Sequence, residues 1–452
     1  MHRSPPLPRR TRRFVLLAVL VAQTGWFAWF MHRPPAGVAD PGFAPDSPLP
    51  HSITADYPRY EVPAWWLATG HALSLSVTET QDPEVQGWVC TRHPDACSSD
   101  GMHPSALYPP GYSIFVAGIY KIFGRDIRPV IAMQFLLLLV MFIAFELTAV
   151  VMLDRAGYWF AMCVAASYPF LALYAVLFST EHLHNVLFLV SLAALLRMRP
   201  SLWRGVAFGG LFGLATLVRP YTVVVFPVLW LWPSVWRGVG AGWRERFVAG
   251  LLFALPFVIW TGRNYYWFGK VIPITTGGPG VLLMHTTLEW ELDPYAKTSG
   301  FDYYAGLSSR IEGLDVSTHE GEKRLRHLAF QRMRDNPGKT ALTILKHIPK
   351  LWVSVGTTAA GVSRAWLVLL VYLGGLWLLG LWGGWVVRHD ARWHVLLLSI
   401  GVYWAFLLYT PGEARRTLAL RLPMLLLASV AASHVWAWRA QRRTATTEAS
   451  AV

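Results

Sequence analysis

Acidic residues are scarce in this chain. Against 40 Lys and Arg there are 26 Asp and Glu in 452 residues, and only 15% of positions are charged. With 54% of its residues hydrophobic, the chain has too little polar surface to solvate itself, which excludes an ordinary soluble protein. Cysteine is nearly absent. Three cysteines cannot make a disulfide scaffold. The close pair, Cys90 and Cys97 with His93 between them, matches no standard zinc spacing. No long-period repeat is present, which argues against transporter folds built from duplicated halves.

The apolar residues instead come in long blocks. A bilayer core about 30 Å thick takes roughly 20 apolar residues per helix. Candidate spans are Phe14–Met31, Pro129–Leu153, Tyr158–Phe178, Leu183–Met198, Gly205–Val218, Tyr221–Trp236, Phe247–Thr261, Ala365–Val387, Trp393–Tyr409 and Leu418–Trp438. The expected fold is an all-α polytopic membrane protein with about ten transmembrane helices and two large external loops carrying interfacial helices. The segments are 1–31 (N-terminus and first span), 32–126 (first external loop), 127–261 (helical bundle), 262–363 (second external loop), 364–438 (C-terminal spans) and 439–452 (tail).

The net charge of +14 invites a nucleic-acid reading, but its distribution argues against one. Arginines cluster in short connections: Arg9 to Arg13, Arg197 to Arg204, Arg237 to Arg246, Arg388 with Arg392, and Arg439 to Arg443. Short basic loops stay in the cytoplasm, and ten spans put every cluster on one side. Both termini are then cytoplasmic and both long loops external, as in a bacterial inner membrane. The N-terminal basic and apolar stretch ends in Trp26, Phe27, Trp29 and Phe30 without a small-residue cleavage site, so it reads as an uncleaved span.

Gly111–Phe123 is apolar but short, and counting it as a span would move the Arg clusters outside. It is expected as a helix in the outer interface. Thr340–Val355, interrupted by Lys346, His347, Pro349 and Lys350, is expected as a second interfacial helix. Residues 321–335 show helical spacing. Gly205, Gly209 and Gly213 recur every four residues and mark a close-packing helix face. Cys163, inside an apolar span, reads as a small buried residue.

Chemistry concentrates in Thr54–Leu75. Asp56 stands on an external loop beside aromatics, placed either to act as a general base toward a hydroxyl or to cap the helix starting near Pro58. Glu181, with His182 and His184, sits at the outer end of two spans, where a carboxylate beside apolar helices is costly and often functional. Arg219, Arg263, Arg415 and Arg416 lie at outer span ends and Lys346 on the interfacial helix. They can bind phosphate or snorkel toward headgroups. His103 could contact phosphate or acceptor. Cys90 and Cys97, close together in an external loop, are expected to form a disulfide.

The order of these pieces resembles the glycosyltransferase C superfamily, close to bacterial protein O-mannosyltransferase-like and lipid A aminoarabinose transferase-like enzymes. The matching residues are Asp56-Tyr57, Tyr60, Ala64 and Gly70, then Tyr108-Pro109-Pro110-Gly111-Tyr112 and Phe123-Gly124. They continue with Ser179-Thr180-Glu181, Arg219-Pro220, Arg263-Asn264, and Arg415-Arg416 with Pro423. The resemblance implies a sugar carried on a polyprenyl phosphate at the outer leaflet and a lipid, glycan or protein acceptor. It implies inversion at the anomeric carbon, with Asp56 as the catalytic base; Glu181, the second catalytic candidate, could orient the acceptor or hold a cation, or be a solvated loop residue. Arg219, Arg263, Arg415, Arg416 and Lys346 would take the donor phosphate, and Arg59, Tyr60, His103, Tyr108 and Tyr112 the acceptor. Tyr57 stands where the family often has a second acid, so use of a divalent metal is left open. Other readings are a transporter or flippase of a lipid-linked intermediate, which needs no Asp base, and an O-antigen-polymerase-like enzyme.

Overall fold

The computed structural model describes residues 7–32, 49, 52, 57–76, 102–275, 319–353, 364–410 and 414–449. Asp56, Cys90 and Cys97 lie outside the described residues, so the expected base and disulfide do as well.

Helices dominate. α1 (Arg9–His32) precedes α2 (Tyr57–Ala68), the strands β1 (Ser74–Ser76) and β2 (Met102–Pro104), and α3 (Gly111–Phe123). The main run is α4 (Ile127–Met152), α5 (Arg155–Ser167), α6 (Phe170–Val176), α7 (Thr180–Arg197), α8 (Leu202–Val218), α9 (Val225–Leu231), α10 (Pro233–Gly238) and α11 (Trp243–Phe268). α12 (His319–Asp335) and α13 (Pro337–Val353) lead into α14 (Arg364–Val387), α15 (His394–Leu407) and α16 (Leu418–Ala449).

Several of these helices are built for a bilayer. Among the described residues four segments are long and apolar enough to cross one: Arg9–His32, Ile127–Met152, Trp243–Phe268 and Arg415–Arg442. The pair α5–α6, bent by 42°, makes a fifth if taken as one span. At 1.5 Å per residue, α4 is about 39 Å long, beyond the hydrocarbon thickness. α11 turns Phe247, Leu251, Val258 and Ile259 outward, as suits a helix solvated by lipid tails. Each of the ten expected spans falls on a helix or a broken run of helices, but several are short. The stretch expected at Tyr221–Trp236 divides into a 3₁₀ turn, α9 and α10, with Pro220 and Pro233 each opening a new segment. Proline suits a helix start because its missing N–H has no partner there anyway.

The glycine face expected at 205, 209 and 213 is present. A Cβ at Gly205 or Gly213 would come within 2.6 Å or 2.7 Å of the carbonyl oxygens of Glu245 and Phe253, and one at Gly209 would overlap the Ala249 backbone. α8 and α11 therefore pack backbone to backbone. Gly383 does the same for α14 against the Leu427 backbone of α16, and Gly380 makes room for the Met424 side chain. Cys163 corrects its expectation: it lies on the exposed side of α5.

α2 and α3 form a cap on one end of the bundle. α3 has 13 residues, about 20 Å, too short to span. Tyr60, Ala64, Tyr112, Val116 and Tyr120 form the seam between the two helices. Buried Glu61 of α2 accepts two hydrogen bonds from Arg125, at 2.7 and 2.8 Å, and Ser113 Oγ donates to the Tyr60 carbonyl at 3.1 Å. The all-α expectation holds, with one short ribbon added to it. β1 and β2 pair antiparallel, with Leu75 opposite His103. Three-residue strands carry too little alternation to be read from sequence, and this ribbon depends on a tertiary contact described below.

Candidate functional site

The polar residues of interest gather where α7 begins and α8 ends, under the α2–α3 cap. Ser179 is the extended N-cap residue of α7, which puts Glu181 in the first turn. There the helix dipole and unpaired N–H groups favour a carboxylate. Arg219 is the C-cap residue of α8, at the end of a helix that favours a cation. The two meet: Arg219 Nη2 lies 2.5 Å from Glu181 Oε1, and Arg219 Nε donates to Thr180 Oγ1 at 2.8 Å. Arg415, on the turn before α16, places Nη1 3.5 Å from the same Glu181 oxygen. The Glu181 side chain is 1% exposed, Arg219 12% and Arg415 37%, so the cluster runs from the buried core to an open edge. Tyr221 offers its ring to the guanidiniums of both Arg219, at 5.6 Å, and Arg416, at 5.8 Å.

Behind Glu181 the wall is polar and incompletely bonded. Ser179 Oγ, His182 Nδ1 and Asn185 Nδ2 are buried without a hydrogen-bond partner among the described residues. Buried polar atoms in native proteins are nearly always satisfied, so these three atoms have hydrogen-bonding capacity left over for water or a ligand's polar groups. His182 Nε2 donates to the Gln134 carbonyl at 2.8 Å. His184 Nδ1 donates to the Ala215 carbonyl at 3.0 Å, which leaves its Nε2 to accept from the Tyr403 hydroxyl at 3.2 Å. Gln134 Nε2 donates to the carbonyls of Ala175 and Leu177, both at 2.9 Å, which end α6, and its Oε1 accepts from Tyr112. Gln134 and Tyr403 escaped sequence reasoning. A lone amide in an apolar span was the available signal for Gln134, whereas Tyr403 had none.

The roof is aromatic. Tyr60 packs against Tyr112 and Tyr108, with ring centroids 5.7 and 5.8 Å apart, and Arg59 lies over Tyr108. Tyr57 and Tyr112 both pack on Phe178, three residues before Glu181. Burial, then the nearby Glu61 carboxylate, pushes the Tyr57 phenol up to about 12. Burial also holds Tyr112 well above its ordinary value. These hydroxyls are therefore neutral donors at physiological pH, not bases.

Comparison with known proteins finds no match. No family model, no curated protein and no solved structure is similar to this chain.

Of the residues singled out in the sequence, Glu181, Arg219, Arg415 and Arg416 come together, and Arg59, Tyr60, Tyr108 and Tyr112 lie above them. Three others are not drawn in. Arg263 donates to the carbonyls of Ser105 and Leu73, both at 3.0 Å, and to Asn264 Oδ1, while stacking on Trp260 and Phe268. It thereby pins the β1–β2 ribbon to α11. His103 is buried in that ribbon. Lys346 lies on the exposed face of α13. Among the described residues no three His, Cys, Asp or Glu side chains are grouped to hold a metal.

Proposed function

We propose that this protein is a membrane glycosyltransferase that moves a sugar from a polyprenyl-phosphate donor to a lipid, glycan or protein acceptor on the external face of a bacterial inner membrane. In this reading the chain crosses the bilayer about ten times, both termini are cytoplasmic and both long loops are external. The observation that carries it is the Glu181 carboxylate holding Arg219 and Arg415 at one place below a tyrosine roof. Guanidinium forks suit phosphate oxygens, and a leaving phosphate gathers charge that fixed cations stabilise in a partly dry site. Glu181 is then a positioning residue for the two arginines. Asp56, next in sequence to the Tyr57 that packs on Phe178, takes the proton of the acceptor hydroxyl. The acceptor oxygen bonds to the anomeric carbon from the face opposite the phosphate. The carbon–oxygen bond to phosphate breaks, and its electron pair leaves with the lipid phosphate.

The test is transfer of a labelled sugar from polyprenyl phosphate by protein reconstituted in vesicles. Asp56→Asn keeps the shape and removes the base, so turnover should fall about 10²- to 10⁴-fold with donor binding retained. A folded Asp56→Asn protein working at the parent rate overturns the base assignment. Labelled lipid that crosses the bilayer while no sugar changes partner would make the protein a flippase.

A further inference from the structure

A second polar feature shares no residue with the Glu181 cluster. Between α5, α13, α14 and α16 lies a narrow, partly open cleft, walled by Val164, Tyr168, Trp352, Leu373, Trp377 and Met424. Arg421 of α16 also lines it and is 8% exposed. Its Nη2 donates to the Leu351 carbonyl at 3.2 Å and its guanidinium stacks on Trp352 at 4.8 Å. Its Nε has no partner, and no carboxylate pairs with it among the described residues. The indole N–H groups of Trp352 and Trp377, on the same walls, also lack partners.

The lining therefore offers one buried cation, two unpaired indole donors, the Tyr168 phenol and hydrocarbon, with no carboxylate or amide side chain. Water can satisfy an indole, but it does not neutralise a buried charge, which needs a counter-ion. Charged residues within apolar spans are costly and mark binding sites more often than they stabilise. An inorganic phosphate would have to shed its hydration against leucine and methionine. A sugar headgroup, with several hydroxyls to satisfy, would find the Tyr168 phenol as the one acceptor side chain of the lining. We propose that this cleft binds an anionic bilayer phospholipid, with its phosphate diester on Arg421, Trp352 and Trp377 and an acyl chain against Leu373 and Met424. Such a lipid would fasten the interfacial helix α13, which carries Trp352, to the α14–α16 pair.

Native mass spectrometry of the purified full-length protein tests this, with phosphatidylglycerol, phosphatidylcholine, polyprenyl phosphate and inorganic phosphate added in turn. Phosphatidylglycerol should be retained at about ten-fold lower concentration than phosphatidylcholine, whose diester is the same but whose quaternary ammonium brings a second positive charge toward the buried Arg421. Arg421→Gln should bring the two to parity. Phosphatidylglycerol with brominated chains should quench tryptophan fluorescence, and Trp352→Phe or Trp377→Phe should reduce the quench. If Arg421→Gln does not fold, Arg421→Lys keeps a point charge without the fork and should weaken the preference without removing it. Equal retention of the two phospholipids by the parent protein overturns the proposal. So does a preference unchanged in every Arg421 variant, or tighter retention of polyprenyl phosphate or inorganic phosphate than of phosphatidylglycerol.

Discussion

At its first turn α8 sets Arg204 beside Glu245 of α11, and at its C-terminal cap it sets Arg219 beside Glu181 of α7. The first pair is closed. Arg204 grips both Glu245 oxygens, Nε on Oε1 and Nη2 on Oε2 at 2.9 Å, while Nη1 donates to the carbonyls of Met198 and Val239 at 3.2 and 3.0 Å. Both side chains are at most 5% exposed, and the bonds tie the ends of two connections to the α8–α11 seam. The second pair is open. Glu181 shares one oxygen between Arg219 and Arg415, exposure rises along the cluster, and the α7 wall carries unpaired polar atoms. Two Arg–Glu pairs about 22 Å apart along one helix thus differ in whether anything is left to bind. A saturated pair holds the fold, whereas an unsaturated one beside a polar wall is where a substrate's charge can enter.

Breaking the closed pair should have the largest effect on stability. Glu245→Gln leaves a buried guanidinium without its counter-ion, which costs about 3–5 kcal/mol. Thermal unfolding in detergent should drop sharply while sugar transfer per folded molecule holds. Transfer lost in proportion beyond the folded fraction would mean that the closed end also reaches the site. Glu181→Gln sharpens the contrast from the other side. It should lower the unfolding temperature less than Glu245→Gln does, because Arg219 and Arg415 lie nearer the open edge, yet lose about 10²-fold in transfer per folded molecule, the scale of removing one preorganised electrostatic group. A large drop in unfolding temperature with transfer intact would make Glu181 another closed pair.

Arg263 lies between these extremes. Arg263→Met removes the bonds to Ser105 and Leu73 and should cost the ribbon about 1–3 kcal/mol. Amide exchange at residues 73–76 and 102–105 should then speed up by about ten-fold or more. If transfer collapses and exchange stays as in the parent, Arg263 touches the donor after all. The smallest effect concerns pH. The folded state holds the Tyr57 phenol at about 12, against an ordinary value near 10. The neutral form is favoured on folding, so its contribution is complete below about pH 10 and fades as pH rises toward 12. Tyr57→Phe should remove that alkaline step from the stability profile, and a titration of tyrosinate absorbance reads it directly.

Much of the helical plan was legible because apolar runs and breakers are local. Proline and glycine positions mark where segments start and where backbones meet, and the Gly205–Gly213 face needed only its spacing. Glu181 and Arg219 could be picked out because charge beside apolar helices is rare. Their union could not: 38 positions apart in the chain, they meet only because α7 and α8 pack antiparallel as neighbours. Arg263 and Arg219 look alike in sequence, each an arginine at the end of a span. One faces backbone carbonyls and the other a carboxylate, a difference set by which loop folds over each helix end.

The sequence by itself determined that this is a helical membrane protein, since more than half of its residues are apolar and lie in runs that only a bilayer can cover. It also determined where the scarce charges stand. The tertiary structure alone decided which arginines are occupied by backbone, which are locked to a glutamate and which remain beside unsatisfied polar walls. That decision depends on the partners each guanidinium meets across the bundle, and hydrogen bonds and ion pairs form over a few ångströms of space whatever the distance along the chain.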